Sequence, residues 1–214
     1  MTSEAAAELE FVAKVSHELR GPLHSILGLA ELMIESGAEG ENHRLATAIH
    51  REAGSLQVMI DDLLNFARIS AGRFELSVEP FSPARVIADI VASAQPSATR
   101  KGLSMLVDVD PGVPRSVSGD GLRYGQVIRN LVTNALRYTD RGSVAVQVSL
   151  DGDAVVCEVT DTGIGISPDA MEQLFRPFHQ GHVSRPGGTG LGLAISRRIV
   201  ELMDGSITVD SQVG

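Results

Sequence analysis

A histidine near the start of the chain stands in a setting that favours reaction. His17 lies in a predicted helix, with Glu18 beside it and Arg20 close by. Gly21 and Pro22 are predicted to interrupt this helix one turn later, where a kink costs about 3 kcal/mol. An exposed histidine on an arbitrary helix usually has no function. The charged neighbours and the expected local strain here indicate a residue placed to react.

Polar side chains recur along one face of a later predicted helix, residues 121–138. They fall three or four positions apart and are Gln126, Asn130, Asn134 and Arg137. A solvated helix face usually carries Glu and Lys, and such a face is the alternative for this stripe taken alone. Neutral amides that end in a cation better suit a site in which an amide oxygen coordinates Mg²⁺ and Arg137 meets phosphate.

Two glycine-rich runs have the chemistry to hold a nucleotide. The run DTGIGI at 161–166 follows a predicted strand, and the Asp161 carboxylate can accept a hydrogen bond from an exocyclic amine. A plain glycine turn is the alternative for this run alone. The run GGTGLGL at 187–193 leads into a predicted helix, so its backbone N–H groups form a phosphate cradle, although it lacks the lysine of a Walker loop. Residues 174–186 are predicted to form a lid anchored by Phe175 and Phe178.

The first third of the chain predicts a helical hairpin. Helices are expected over residues 2–36 and from the turn at 37–42 to residue 69. Apolar seams recur at heptad spacing, at Val12, Leu19, Ile26 and Met33 with Val15, Leu23 and Ala30, and at Ile49, Leu56 and Leu63 with Ala53, Ile60 and Ala67. A lone hairpin cannot bury both sides of such seams, so a dimer is the favoured arrangement. Packing on the second half of the chain is the alternative.

The remaining residues predict strands alternating with helices. Strands are expected at 74–78, 104–109, 144–150, 155–160 and 207–210, and helices at 83–94, 121–138 and 191–203, with a short helix after Ser167. Ser82 and Asp120 are the expected N-caps of the first two helices, and Pro83 is expected at the first helical position. The hairpin at 144–160 indicates a mixed sheet in an α/β layer.

Composition excludes several classes of protein. The chain has 214 residues and a net charge of −9, which argues against a nucleic-acid surface. No apolar run is long enough to span a membrane, and no signal-peptide pattern opens the chain. Cys157 is the one cysteine, so an intrachain disulfide is excluded and a small core residue in a reducing compartment is expected.

Five ordered motifs now point to a family. SHELRGPL, NLVTNALRYT, DTGIGI, LFRPFHQ and GTGLGLAISRRIVELMDGSI resemble the H, N, G1, F and G2 boxes of bacterial sensor histidine kinases, in order and spacing. The resemblance implies an α+β protein in two domains. Residues 1–70 would form an antiparallel helical hairpin that dimerises as a four-helix bundle and carries the phosphoacceptor. Residues 73–214 would form an α/β sandwich that binds ATP, with the fold shared by gyrase, heat-shock chaperone and mismatch-repair ATPases.

The resemblance also implies roles for individual residues. His17 would accept the γ-phosphoryl group of ATP on its Nε2 atom, and Glu18 would hold or deprotonate the other ring nitrogen. Asn134 would bind Mg²⁺ with support from Asn130, and Asp161 would recognise the adenine amino group. The other expected nucleotide-binding residues are Arg137, Tyr138, Gly163, Gly165, Ile166, Phe178, Gly188, Thr189, Gly190, Leu191 and Gly192.

The implied reaction is autophosphorylation followed by transfer to an aspartate of a response-regulator receiver domain, within a homodimer. We expect a cytoplasmic location, with this segment as the cytoplasmic part of a longer or membrane-anchored sensor if one exists. No nucleic-acid or membrane contact is expected from the segment itself. Whether His17 receives phosphate from its own or its partner's ATP domain depends on the handedness of the turn at 37–42.

The sequence departs from the family pattern at two places. Gly21 stands four residues after the histidine, where relatives that also dephosphorylate their regulator often carry Thr or Asn to orient a water, so weak phosphatase activity is expected. The family normally continues with a Gly-Ser-x-Phe stretch that forms a final strand. Because this sequence ends at Gly214, residues 207–210 are expected to form an exposed edge strand.

Two other classes of protein are alternatives. A hydrolytic ATPase of the gyrase or chaperone type carries a water-activating Glu one turn before the metal-binding Asn, where this chain has Asn130, and has no histidine-bearing hairpin. A non-catalytic nucleotide-binding dimeric scaffold, or pseudokinase, is opposed by the intact His17, Glu18, Asn134 and Asp161. Because the final strand is missing, the non-catalytic scaffold remains an alternative for this segment.

Overall fold

The computed structural model describes residues 3–36, 40–179 and 190–213, with side chains from Leu19 onward. The chain divides into two compact units, Met1–Phe74 and Glu75–Gly214. The first contains two helices, α1 (Ser3–Glu35) and α2 (Gly40–Ser70). The second contains, in order, β1 (Glu79–Phe81), α3 (Pro83–Lys101), β2 (Ser104–Val109), β3 (Val117–Gly119), α4 (Gly121–Tyr138), β4 (Ser143–Asp151), β5 (Ala154–Asp161), α5 (Pro168–Met171) and α6 (Gly192–Leu202).

The two helices of the first unit pack through one apolar seam. Leu23 of α1 is buried against Ala53, Ile60 and Leu64 of α2, with Leu27 partly buried beside them. An ion pair between Arg20 of α1 and Asp61 of α2 joins the two helices at the same level. Large apolar residues at five other seam positions stay 43–47% exposed, namely Leu19, Ile26, Met33, Ile49 and Leu56, whereas Leu63 is half-buried. One hairpin therefore buries one side of its heptad pattern and leaves the other open to solvent.

The predicted interruption of α1 at Gly21 and Pro22 is wrong, because the helix is continuous from Ser3 to Glu35 with Pro22 inside it. Proline removes one backbone donor, and the neighbouring turns of a long helix retain theirs. The packing of Leu23 against α2 holds the helix together at this point.

The second unit is an α/β sandwich with a mixed sheet, as predicted. β2 and β4 are parallel, whereas β4 and β5 form an antiparallel hairpin, giving the order β2-β4-β5. Alternate residues of β4 point into the core, and Val144, Val146 and Val148 are almost fully buried. Helices α3, α4 and α6 supply the facing layer through Ile87, Val132 and Ile199.

The start of the second unit differs from the prediction. Residues 74–78 form no strand; the strand is β1, which pairs antiparallel with β3, an element that the sequence reasoning missed. The backbone N–H of Ser77 donates instead to Oδ2 of Asp120, at 3.0 Å, so this segment is held by a side chain and not by a strand ladder. The three-residue strands are too short to show an apolar alternation.

Helix α3 is longer than predicted and ends at Lys101, not at residue 94. Ser82 caps it by accepting a hydrogen bond from the Arg85 N–H, and Pro83 lies in its first turn, as predicted. Pro96 lies within the helix and does not end it. The end is set by Gly102, whose φ of 68° is the left-handed conformation that closes a helix.

The predicted last strand at 207–210 is also wrong, and so is the exposed edge expected from it. These described residues form no strand, because nothing pairs with them in either sheet. The chain is held there by a side chain: Oγ of Ser211 accepts a hydrogen bond from the Ile166 N–H, at 2.9 Å.

Candidate active site

Helix α4 positions the predicted polar stripe. Its N-cap, Asp120, is nearly fully buried and accepts hydrogen bonds from the backbone N–H groups of Arg123 and Ser77, at 2.9 and 3.0 Å. The opposite face of the helix is buried through Val127, Ile128, Val132, Ala135 and Leu136. The stripe residues Gln126, Asn130, Asn134 and Arg137 are consequently left half-buried on one side, where a ligand can reach them.

The start of α6 packs against the middle of this stripe. The Asn130 amide donates to Oγ of Ser196, at 2.9 Å, and Ser196 is buried. A Cβ on Gly192 would lie 2.5 Å from Oδ1 of Asn130, so a side chain at this position would have to displace the Asn130 amide. The second glycine run thus reaches α4 through Gly192. The sequence reasoning missed Ser196, although its place four residues after Gly192 puts both on one face of α6.

The end of α4 is joined by hydrogen bonds to residues 161–166, which we call the Asp161 loop. Oδ1 of Asp161 accepts hydrogen bonds from the Gly163 N–H at 2.8 Å and from the Thr139 hydroxyl at 3.3 Å. A Cβ on Gly163 would lie 2.7 Å from the carbonyl oxygen of Tyr138, so this glycine permits the close approach. Both bonds end on Oδ1, which leaves Oδ2 able to accept from a ligand. Thr139 is fully buried and was not predicted as a site residue.

The other side of the loop lies against the last described residues of the chain. Gly165 has a φ of 69°, and a Cβ there would fall 1.9 Å from the carbonyl oxygen of Gln212. Ile166 is tied to Ser211 by the hydrogen bond described above. The structure therefore brings together Tyr138, Asp161, Gly163, Gly165 and Ile166, all of them predicted site residues.

Phe178 and Gly190 meet at the edge of the site. The Phe178 N–H donates to the Gly190 carbonyl at 2.9 Å, and both residues have positive φ angles, 61° and 71°. The Phe178 side chain is 64% exposed. Residues 180–186 of the predicted lid lie outside the described residues, so the anchoring of a lid by Phe178 stays a prediction. Phe175 is half-buried, with the Arg197 guanidinium 5.4 Å above its ring.

The remaining predicted residues divide between described and undescribed parts of the chain. Leu191 is buried at the start of α6. His17 and Glu18 lie on α1, and only their helical backbone is described. Gly188 and Thr189 lie outside the described residues.

These residues fit an adenine nucleotide with a divalent cation. Gly163, Gly165 and Gly192 allow the backbone to pack closely around the site, and the Asp161 carboxylate is oriented by two donors. Among the described residues, no group of three or more His, Cys, Asp and Glu side chains gathers to hold a metal. A Mg²⁺ ion at this site would take the Asn134 amide oxygen together with phosphate and water oxygens, as Mg²⁺ commonly does.

Two family models match the chain in the same order as these features. Residues 7–72 match the His Kinase A (phospho-acceptor) domain. Residues 119–214 match the histidine kinase-, DNA gyrase B-, and HSP90-like ATPase domain. The first model contains His17, and the second contains α4 and both glycine runs. Together the two matches show that the chain carries a histidine kinase catalytic core.

Named relatives of this histidine kinase core agree. It is 40% identical over 207 residues to the sensor histidine kinase RcsC of Salmonella typhimurium, covering 95% of this chain and 22% of that protein. It is 37% identical over 213 residues to the sensor protein GacS of Pseudomonas syringae pv. syringae, covering 96% of this chain and 24% of that protein. The chain thus spans less than a quarter of the length of these curated relatives.

Solved structures give the same fold. The crystal structure of full-length ShkA in complex with AMPPNP is 33% identical, with a TM-score of 0.78, over 96% of this chain and 43% of that one. The Acinetobacter baumannii histidine kinase AdeS is 24% identical with a TM-score of 0.67, over 92% of each chain, and supports the fold alone. None of the helices in the described part of this chain has the length and apolar character needed to cross a membrane.

Proposed function

We propose that this chain is the catalytic core of a sensor histidine kinase that phosphorylates itself on His17 from ATP and passes the phosphoryl group to an aspartate of a response regulator. The observation that carries the proposal is the junction between α4 and the Asp161 loop, which follows a phosphoacceptor-type hairpin in the same chain. Two donors orient the Asp161 carboxylate beside a helix whose half-buried amides suit a metal and phosphates.

The nucleotide site would work through contacts from several elements. Asp161 would accept from the exocyclic amine of adenine through Oδ2, with Tyr138 lining the base. Arg137 and the N–H groups of the second glycine run would meet the phosphates. Mg²⁺ bound to Asn134 would neutralise charge on the phosphates, and Asn130 would keep α6 and its glycines in place. Phe178 would border the site.

The chemical step requires an uncharged ring nitrogen on His17. Nε2 bonds to the γ-phosphorus as the bond from phosphorus to the β–γ bridging oxygen breaks, and ADP leaves. The proton on Nδ1 is held by the Glu18 carboxylate, which stabilises the developing positive charge of the ring. The phosphoryl group then passes from Nε2 to a carboxylate oxygen of the regulator.

We propose that the active form is a homodimer through α1 and α2. The exposed seam of Leu19, Ile26, Ile49 and Leu56 supports this arrangement, because a second hairpin would cover it and complete a four-helix bundle. The absence of a side chain at Gly21 supports the further proposal that regulator dephosphorylation is weak. A fast loss of regulator phosphate on adding this protein with ADP would contradict that part.

Incubation with γ-labelled ATP and Mg²⁺ tests the proposal. We expect acid-labile, alkali-stable label on the wild type and none on His17→Gln or Asn134→Ala. His24→Gln is the matched control for the histidine, since His24 is exposed one heptad later on the same helix. Thr133→Ala is the control for the asparagine, because Thr133 is an exposed neighbour on α4. Label retained on His17→Gln would overturn the assignment of the phosphoacceptor.

A further inference from the structure

Lys101, the last residue of α3, reaches the end of α4. Its Nζ atom lies 2.6 Å from the carbonyl oxygen of Leu136, 3.3 Å from that of Arg137 and 3.1 Å from that of Thr139. These are carbonyls that a helix end leaves without intrahelical partners. The ammonium group has three donors, so one side chain closes the C-terminus of α4.

The other carbonyls of this turn also have donors. The Ala135 oxygen accepts from the Thr139 N–H at 3.0 Å, and the Tyr138 oxygen accepts from the Ile164 N–H at 3.4 Å. Every carbonyl from Ala135 to Thr139 is therefore satisfied, and Lys101 supplies the donor for three of them. A positive charge at this end also opposes the negative pole of the helix macrodipole.

The backbone of Lys101 is held in place. Gly102 follows in the left-handed conformation and donates to the Thr99 carbonyl at 3.0 Å, and Leu103 donates to the Ala98 carbonyl at 3.0 Å. Ala98 and Leu103 are both buried. The closed end of α3 thus fixes where the lysine side chain starts.

The turn that Lys101 closes is the one that carries the nucleotide site. The Thr139 carbonyl oxygen accepts a hydrogen bond from Lys101, and the Thr139 hydroxyl donates one to Oδ1 of Asp161. Arg137, another residue whose carbonyl Lys101 contacts, is an expected phosphate ligand. We propose that Lys101 is a positioning residue for nucleotide binding, acting through Thr139 on Asp161. This inference rests on the proposed function, because it assigns the Asp161 site to an adenine nucleotide.

The test measures ADP affinity with Mg²⁺ by isothermal titration calorimetry, at a temperature where each variant is shown to be folded. Lys101→Met keeps the stem and removes the three donors, and we expect about tenfold weaker ADP binding. Arg100→Met is the matched control, since Arg100 precedes Lys101 and its guanidinium donates to Ser97 of the same helix, at 2.8 Å, and to no residue of α4 in the described part of the chain. It should bind ADP like the wild type. A folded Lys101→Met protein with wild-type affinity would overturn the proposal, whatever its melting temperature.

A double-mutant cycle with Thr139→Val tests the route. Valine keeps the shape of threonine and removes the hydroxyl that reaches Asp161. If Lys101 acts through this hydroxyl, Lys101→Met should weaken ADP binding less than threefold in the Thr139→Val background. The full tenfold loss in that background would refute the route.

A second variant and the wild-type titration make the ADP-binding result interpretable. If Lys101→Met does not fold, Lys101→Gln is the second variant: its uncharged amide nitrogen lies one bond short of the Nζ position and cannot contact all three carbonyls, so ADP binding should still weaken, and an affinity equal to wild type would count against the proposal. A wild type that binds no adenine nucleotide would instead remove the proposed function. The two failures are therefore distinguished by the wild-type titration alone.

Discussion

The helical hairpin and the α/β unit bury their apolar residues to different extents. In the hairpin, Leu29 and Leu32 are 64% and 63% exposed, and the seam that includes Leu56 is also open. In the α/β unit, Ile87, Val144 and Ile199 are completely buried between the sheet and its helices. Single apolar residues on a surface need no explanation, but a row of them along one helical face indicates an interface.

The two units therefore gain their stability from different apolar contacts. The sheet and the three packed helices enclose a core within one chain, as a two-layer domain must. Two helices cannot enclose a core by themselves, so the hairpin needs a second apolar surface. The proposed dimer supplies that surface from an identical copy. Each of the following variants acts on one side of this contrast.

The largest effect is expected at the open seam. Leu56→Glu would place a charge in each half of the proposed bundle, and the dimer dissociation constant should rise by at least about 100-fold because burying an unpaired charge is costly. Ser55→Glu, at the exposed neighbouring position, is the control. Sedimentation velocity across a concentration series measures both. A Leu56→Glu protein that dimerises like the wild type would rule out this seam as the interface.

Within the enclosed core, Ile199→Ala should lower the free energy of unfolding of the α/β unit by about 2–5 kcal/mol, through lost burial and a cavity. Ile199 lies on α6, the helix that contacts Asn130, so ADP affinity should fall as well. Dimerisation should not change. Urea unfolding followed by calorimetric ADP titration tests this, and an altered sedimentation profile would contradict the independence of the two units.

Glycines in the two units should respond oppositely to alanine. A Cβ on Gly163 would lie 2.6 Å from Oδ1 of Asp161 and 2.7 Å from the Tyr138 carbonyl, so Gly163→Ala should weaken ADP binding by tenfold or more. Gly54 lies within α2 with nothing within 4 Å of its added Cβ, and Gly54→Ala should stabilise the hairpin by about 0.5–1 kcal/mol. Thermal unfolding and ADP titration of both variants test this. Equal changes in stability and in ADP affinity for the two variants would contradict the predicted difference between the units.

The smallest effect concerns the thiol of Cys157, which is half-buried and is not the core residue that the sequence predicted. Burial raises the pKa of Cys157 from 9.0 to about 11. The folded protein then holds a proton that the unfolded chain loses, so stability should fall as the pH rises from about 9 towards 11. Cys157→Ala should flatten this dependence. Reaction with a thiol reagent at pH 8 should also be slow, and rapid labelling of folded protein would contradict the raised pKa.

Much of the fold was predictable from local patterns. The bounds of β2 and α4 and the hairpin of β4 and β5 agree with the sequence prediction to within a residue or so. Helix caps such as Ser82 and Asp120 were predictable because the capping residue and the helix it starts are adjacent in the chain. The predictions failed where a local signal was weak or was overridden: Pro96 did not end α3, and Pro22 did not interrupt α1.

The sequence by itself determined the resemblance to histidine kinases, the order of the two units and the candidates for the site, because each of these is contained in a short motif. Only the tertiary structure decided what surrounds them. Ser196 beneath Asn130, Thr139 beside Asp161 and Lys101 at the end of α4 are contacts between residues 22 to 66 positions apart. Periodicity and motif spacing report on neighbours along one element. Which elements pack together depends on burying the apolar faces of the whole unit, and that sets these distant contacts.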